Sequence, residues 1–403
     1  MAIDDAGPGD SITTATEQPN KAPVLTVQPH STDQTTTIRK TPFPTPSAST
    51  TIPPAPALTS EQETKYTNLL HSIRTWASGQ NLTEHEQSWL TRECLLRYLR
   101  ASSWNLATAR KRLEATINWR RSYGVESKLT PDYISIENET GKQWIVGFDV
   151  AGRPCLYLNP QHQNTEKTAR QIEHLVFMLE RCVDLTPPGQ ESLAILMNFA
   201  DTKTGQGASI AQGRETLNIL QNHYPERLGR AVLINLPWHI SAFMKIILPF
   251  VDPVTKAKII INQPMADHVP SEQLAVTHGG TLQFKYEHET YWSALTELAA
   301  SRRKEQLERW IKGGKYIGEL EAYLKGGLDV GVGEEEDRGK DIKASDEKDL
   351  QPVVEQDIEQ EPQTAGEVDG EASRDVDSMK EKIVERDGET FEDAVETVEK
   401  LTI

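Results

Sequence analysis

The side chains best suited to hold a metal or attack a carbonyl are histidines and cysteines, and here both are scattered. His162, His174, His223, His239, His268 and His278 show no ligand spacing, so each reads as structural or surface. Cys94, Cys155 and Cys182 lie far apart with no C-x-x-C pair. That excludes a Cys-rich zinc site and a disulfide framework, and it fits a reducing cytosol. There is no P-loop, no G-x-S-x-G and no H-E-x-x-H, and "TGQGASIAQG" carries its glycines at the wrong spacing for a dinucleotide loop. Asp201 and Lys203 follow a strand end, a common place for site residues, but an exposed loop accounts for them. No catalytic group, metal or cofactor is expected, which argues against an enzyme.

What stands out instead is apolar. Between Pro237 and Pro253, nine of the thirteen residues from Trp238 to Phe250 are apolar, and Lys245 is the only charge. On a helix, Ser241 and Lys245 stack at i, i+4 as one narrow polar stripe. Ile240, Phe243, Met244, Ile246, Ile247 and Leu248 cover most of the rest, whereas an ordinary surface helix keeps an apolar arc of roughly 100°. One reading is a buried core helix. The other is a helix with two apolar clients, one face lining a cavity and the other meeting lipid. Pro237 suits a first turn and Pro249 ends or kinks the helix, so the segment is able to move as a unit.

The 403 residues carry a formal charge of −17, unevenly spread. The nets are −2 over 1–60, +1 over 61–330 and −16 over 331–403. A neutral middle predicts no nucleic-acid partner. "MAIDDAGPGD" has acids where a signal peptide needs a basic and then an apolar region. No apolar run approaches the ~18 residues of a membrane span. The expectation is a protein that is soluble, or peripheral to a membrane.

Residues 1–60 hold 28 Pro, Ser and Thr. They read as a disordered tail, because such a stretch buries too little apolar surface to offset its chain entropy. Residues 331–403 read as a solvated acidic tail, with a short helix at "ETFEDAVETVEKL". Between them, "WLTRECLLRYLRAS" and "NLATARKRLEATINWRRSYGV" repeat apolar residues at helical spacing, the second with Asn105 as N-cap and Gly124 as stop. "QWIVGFDV", "RPCLYLN", "SLAILMNF", "AVLINLP" and "KIIINQ" are short apolar runs, the mark of strands covered on both faces. Helical stretches separate several of them. The fold class is therefore α/β: a mixed, partly parallel sheet behind an all-α N-terminal unit.

Quoted in order, "GRPCLYLNP", "HYPERLGRAVLINLPW", "LPFVDPVTKAKIII" and "THGGTLQF" resemble the CRAL-TRIO lipid-binding domain. "LLRYLRASSWNLATARKRLEATINWRRSYG" resembles the helical module that precedes it. Within the family, the chain is most similar to the fungal phosphatidylinositol transfer proteins linked to azole tolerance. The resemblance covers residues 61–300 and implies a helical module over 61–125, a CRAL-TRIO domain over 126–295 and a helical extension over 296–330. It further implies a sheet flooring an apolar lipid cavity, with Trp238 to Phe250 as the gate helix that closes it. Such a device has an energetic purpose. About 30 methylenes at roughly 0.8 kcal/mol each oppose the bare passage of a diacyl lipid through water by over ~20 kcal/mol.

By the same resemblance, Glu226 of "YPERLG" and Lys258 of "VTKAKII" form the phosphoinositide-headgroup pair, with Thr255 adding a hydroxyl. The chemistry suits a phosphodiester and inositol hydroxyls. The plainer alternative pairs Glu226 with Arg227 or Arg230 and lets Lys258 simply begin a strand. Two departures from the family pattern matter. Leu193 and Ile195, with Met197 beyond them, stand on the cavity strand where the prototype has hydroxyls for phosphatidylcholine. Removing polar partners predicts weak or no phosphatidylcholine binding and a more apolar second ligand such as a sterol. Ser102 and Ser103 replace a basic pair, for which Arg97 and Arg100 on the same helix are the available substitutes.

Three functions compete on these grounds. The chain exchanges phosphatidylinositol for a second lipid and presents it to a lipid kinase; or it carries another apolar ligand such as a sterol; or it is a hydrolase or oxidoreductase of unfamiliar type. The expected location is cytoplasmic and peripheral on membranes, with endoplasmic reticulum, lipid droplet and cell periphery all open, as is the oligomeric state. The acidic tail adds a prediction. Anionic bilayers repel it, so deleting 331–403 strengthens binding to anionic vesicles in a sedimentation assay, and unchanged binding refutes this.

Overall fold

The computed structural model describes residues 37–334 apart from 204, 249, 250 and 252. The tail readings for 1–36 and 335–403 lie outside the described residues.

Helix α1 (Ser60–Ser78) starts where Thr59 accepts from the Gln62 amide and Gln62 accepts in return from that of Thr59, a capping box. Thr83 and Glu86 start α2 (Glu84–Trp89) in the same way. Periodicity predicts one helix through "WLTRECLLRYLRAS", but the chain breaks at Leu90, and Thr91 caps a separate α3 (Arg92–Arg100). The break is held from a distant segment: Gly318 N–H donates to the Leu90 carbonyl at 2.7 Å and Arg92 N–H to that of Glu319 at 2.9 Å. Helix α4 (Leu106–Tyr123) runs as expected from its Asn105 cap to Gly124, which takes a left-handed φ of 78°. Leu69, Ile73, Leu95, Leu99 and Leu113 close a core built from these helices, with Ile317 of the C-terminal extension packed against it.

A short α5 (Pro131–Ser135) leads into a sheet of β1 (Gln143–Phe148), β2 (Pro154–Leu158), β3 (Leu193–Asn198), β4 (Leu228–Ile234) and β5 (Ile259–Ile261), in that spatial order. The first pair is antiparallel and the rest parallel, so the mixed sheet is as read. Helix α6 (Ala169–Leu185) crosses from β2 to β3, α7 (Ile210–His223) from β3 to β4, and α8 (Trp238–Ile247) with α9 (Pro253–Ala257) from β4 to β5. Then follow α10 (His288–Lys312) and α11 (Glu321–Leu324).

Strand alternation gives the sheet two clients. Ala194, Leu196 and Val232 join the large core that contains α6 and the start of α10. Met197, Ala231 and Leu233 turn the other way, toward Ile240 and Met244 of α8. A register shift between Leu193 and Ala194 breaks the alternation at the strand's start. Leu193 accordingly sits in the large core, 2% exposed. A bulge in β1 needs Gly147, at φ 67°, where a Cβ would stand 2.3 Å from the Gln273 carbonyl.

The sequence reading extends the disordered tail to residue 60; the structure instead lays residues 38–59 along the body as an extended strap. Arg39 N–H donates to the Gln283 carbonyl at 2.8 Å, Lys285 N–H to that of Arg39 at 2.9 Å, and Thr51 N–H to that of Val150 at 3.1 Å. Lys40 pairs with Glu287 at 2.7 Å, and Phe43 packs on the large core. Composition hides this because the strap has no amphipathic period, while its prolines preset an extended backbone and so lower the entropy of docking it. Ile52 lies over Gly152, where an added Cβ would meet it at 2.8 Å. Ile52→Ser is expected to cost about 1–2 kcal/mol in urea unfolding; a change under a few tenths means the strap contributes no stability. At the other end, order runs past residue 331, since Val332 and Gly333 donate backbone N–H groups to the Glu319 carboxylate at 2.9 and 3.2 Å.

Candidate functional site

A cavity of about 530 Å³ opens on the α8 side of the sheet. Its floor is Leu158, Met197, Phe199 and Leu233; Ile172 and Leu175 of α6 form a wall, and Ile240 and Met244 of α8 the cover. Of the residues expected to close or line a lipid cavity, Ile240, Met244 and Met197 line this one. Leu193 does not, for the register reason above, and Ile195 packs between the two clusters without reaching the cavity wall. Trp238, expected on the gate, begins α8 but points to solvent, 62% exposed. Leu248 is half-buried at the helix end. The side chains of Phe243 and Ile247, and all of Phe250, lie outside the described residues. Pro237 stands at the N-cap, one place before the first turn.

The headgroup candidates occupy a different end of the sheet. Glu226 precedes β4 and Lys258 precedes β5, at the N-terminal ends of neighbouring parallel strands. The Ala231 N–H donates to the Lys258 carbonyl at 2.9 Å, and the Lys258 N–H to that of Thr255 at 3.0 Å, so backbone bonds set both residues. Glu226 holds a left-handed φ of 57°, unusual for a residue with a side chain. Its carboxylate pairs with Arg100 of α3. Neither partner in the plainer alternative is used: Arg227 turns to Glu321 at 3.7 Å and Arg230 to Asp149 at 3.4 Å. Ser102, at one of the missing basic positions, is buried and accepts from Arg112 at 3.5 Å, while Ser103 takes a φ of 50° in the turn.

Arg100 opens onto a buried charge network that sequence reasoning missed. It also contacts Glu191 at 3.2 Å; Arg97, one turn earlier and 3% exposed, bonds Glu191 at 2.8 Å and Glu321 at 2.7 Å. Glu321 belongs to α11, so the network ties the helical module and the C-terminal extension to the turn that carries Glu226. The i, i+3 spacing of Arg97 and Arg100 was the only local signal. Burial acts to raise the Glu321 pKa, but Arg97, Lys325 and Arg227 prevail and hold it well below the usual carboxylate range.

Glu93 responds the opposite way. Burial and then the adjacent Glu321 charge push it up to about 7. A raised carboxyl pKa adds stability below its unfolded value near 4.5 that is lost as pH rises toward 7. Glu93→Gln is therefore expected to flatten the fall in stability between about pH 4.5 and 7; equal slopes in urea titrations of the two proteins contradict this.

No group of three or more His, Cys, Asp or Glu among the described residues is placed to hold a metal. His174 is fully buried with neither ring nitrogen bonded among the described residues, and burial lowers its pKa well below the usual histidine value. No described helix is long and apolar enough to cross a membrane.

Residues 138–280 match the CRAL/TRIO domain model and residues 60–115 its N-terminal domain model. The chain is 43% identical over 263 residues to the phosphatidylinositol transfer protein PDR17 of Saccharomyces cerevisiae, covering 62% of this chain and 75% of that one. It is 49% identical over 298 residues to a CRAL-TRIO domain-containing protein of Schizosaccharomyces pombe, covering 71% of this chain but only 29% of that longer relative. A SEC14 cytosolic factor of Eremothecium gossypii is 28% identical, over 46% of this chain and 68% of its own length.

Proposed function

The chain belongs to the CRAL/TRIO family, and on that premise we propose that it binds phosphatidylinositol and transfers it between membranes as a carrier, not an enzyme. The observation that carries the reading is the cavity between sheet and α8, apolar on its floor and covered by Ile240 and Met244. Lipid carriage needs a chamber and a door rather than a nucleophile, and the described lining residues form no catalytic constellation. In this reading Lys258 and Thr255 take the phosphodiester and Glu226 the inositol hydroxyls. A diacyl phospholipid exceeds the drug-sized molecules that cavities of roughly 300–1,000 Å³ hold, so α8 must swing away to admit it. The protein then works in the cytoplasm and touches bilayers transiently, supplying phosphatidylinositol to lipid kinases.

A second reading has two observations in its favour. With α8 in this position, a cavity of about 530 Å³ fits a single compact apolar molecule such as a sterol, and Arg100 occupies Glu226. Mass spectrometry of lipids extracted from the purified protein separates the two. Co-purified phosphatidylinositol, with transfer between vesicles, supports the carrier of phosphoinositide; sterol alone or no lipid overturns it. Met244→Trp, which fills the cavity beneath the cover, is expected to lower lipid loading at least tenfold, and full loading would place the ligand elsewhere.

A further inference from the structure

Four threonines of the chain, Thr41, Thr45, Thr130 and Thr186, are followed by proline, and no serine is. Three of them are held. Thr41 is half-buried beside a buried Pro42, Thr130 caps α5 by accepting from the Tyr133 amide at 3.2 Å, and Thr186 is 4% exposed. Thr45 differs. It is exposed on the strap, where its carbonyl accepts from the Gln273 side chain at 3.3 Å. Backbone bonds anchor the strap at Arg39 and Thr51; among the described residues no backbone-to-backbone bond ties the stretch from Pro42 to Ser49 to the body. That stretch is able to lift as a bow between two fixed points.

Thr45 also lines a cleft of about 570 Å³ between the strap, the end of α6 and helices α10 and α11. The charges of this cleft do not cancel. Asp184 is taken by Arg181 at 2.8 Å, Glu305 accepts from Ser301 at 2.8 Å, and Glu308 faces Lys304 at 3.8 Å. Lys325 pairs with Glu321 at 3.2 Å. Arg309, in contrast, spends its donors on two neutral carbonyls, those of Tyr323 and Leu328, at 2.7 and 2.6 Å. Lys312 is exposed, with no hydrogen bond or ion pair among the described residues. Arg302 donates to the Pro44 carbonyl, next to Thr45, at 3.3 Å and faces Glu305 only at 3.8 Å. Three cations of the cleft thus lack a close carboxylate. We propose that Thr45 is a phosphorylation site for a proline-directed protein kinase, and that the phosphothreonine seats in this cleft on Arg302 and Lys312, latching the strap to α10. Such a kinase takes an extended segment and asks no N–H of the residue after the hydroxyl, and Pro46 has none to give. The bond from Thr45 Oγ1 to the terminal phosphorus of a nucleoside triphosphate forms as the bond to the bridging oxygen breaks. The nucleoside diphosphate leaves and the hydroxyl proton passes to the base of the kinase. The product adds a charge of about −1.5 to −2 and three strong acceptor oxygens, which suit guanidinium and ammonium donors. The inference does not depend on the lipid the protein carries.

The test incubates the full-length protein with a purified proline-directed kinase and a nucleoside triphosphate, and maps the phosphate by mass spectrometry. Thr45 is expected to be modified roughly tenfold faster than Thr41, Thr130 or Thr186, whose burial or capping bonds must first give way. Hydrogen exchange then reads the latch. The Arg39, Thr51 and Lys285 amides close the backbone bonds of the strap. After phosphorylation they should exchange about tenfold more slowly, the effect of one or two new charge-assisted hydrogen bonds. The double variant Arg302→Gln, Lys312→Gln should take phosphate at Thr45 equally well and show no such slowing, each protein being compared with its own unmodified form. No phosphate on Thr45, or modification of another of the four at the same rate, overturns the proposal. So does exchange that is unchanged or faster after modification, or slowing that persists in the double variant.

Discussion

If Lys258 holds the headgroup as proposed, Lys258→Met is expected to slow the transfer of labelled phosphatidylinositol between vesicles by roughly 10- to 100-fold. The magnitude is that of losing a charge-assisted hydrogen bond to a phosphodiester, about 1.5–3 kcal/mol. The backbone of Lys258 is held by the bonds to Ala231 and Thr255, and Met keeps the aliphatic stem. Binding of an uncharged apolar ligand should survive, since the cavity lies at Met197, Leu233 and α8 and not at the strand starts. Transfer at the wild-type rate removes Lys258 from the headgroup site. Loss of transfer together with loss of the uncharged ligand would point to a general defect instead. Glu226→Ala is a different experiment, because it also deprives Arg100 of a partner while leaving a Cβ on a left-handed residue.

Arg97→Ala is expected to destabilise the protein by about 3–5 kcal/mol in urea or thermal unfolding, the usual cost of removing one partner from a buried ion pair. Arg97 is 3% exposed and bonds two carboxylates, Glu191 and Glu321. Without it, Glu321 and Glu93 remain close together in a buried site, and both are pushed toward protonation. The variant should therefore lose more stability at pH 8 than at pH 5. Since the network reaches Glu226 through Glu191 and Arg100, slower phosphatidylinositol transfer should accompany the instability. A loss under 1 kcal/mol would mean that the charges hydrate in place and that the network is not structural.

Much of the architecture was legible because it depends on local period. Five short apolar runs became five strands, and Asn105 and Gly124 bounded α4, since alternation, capping and left-handed glycine act over a few residues. The apolar helix was legible too: a segment so poor in polar positions must cover something, and Ile240 and Met244 line the cavity under it. The failures share a different cause. The break at Leu90 is set by Gly318 and Glu319, more than 200 residues away in the chain. The 38–59 strap has no period of its own and is ordered only by the surface it lies on. Leu193 left the cavity because a one-residue register shift, which no side-chain pattern announces, turned it into the large core.

The sequence by itself determined the mixed α/β sheet, the apolar cover and the absence of recognised enzyme motifs, all properties of residues within a few positions of one another. Only the tertiary structure decided that Glu226 answers to Arg100 and that Arg97 and Glu321 share a buried site. Such facts depend on which distant groups meet out of water. There a single charge or an unmade hydrogen bond is worth several times what it is at the surface.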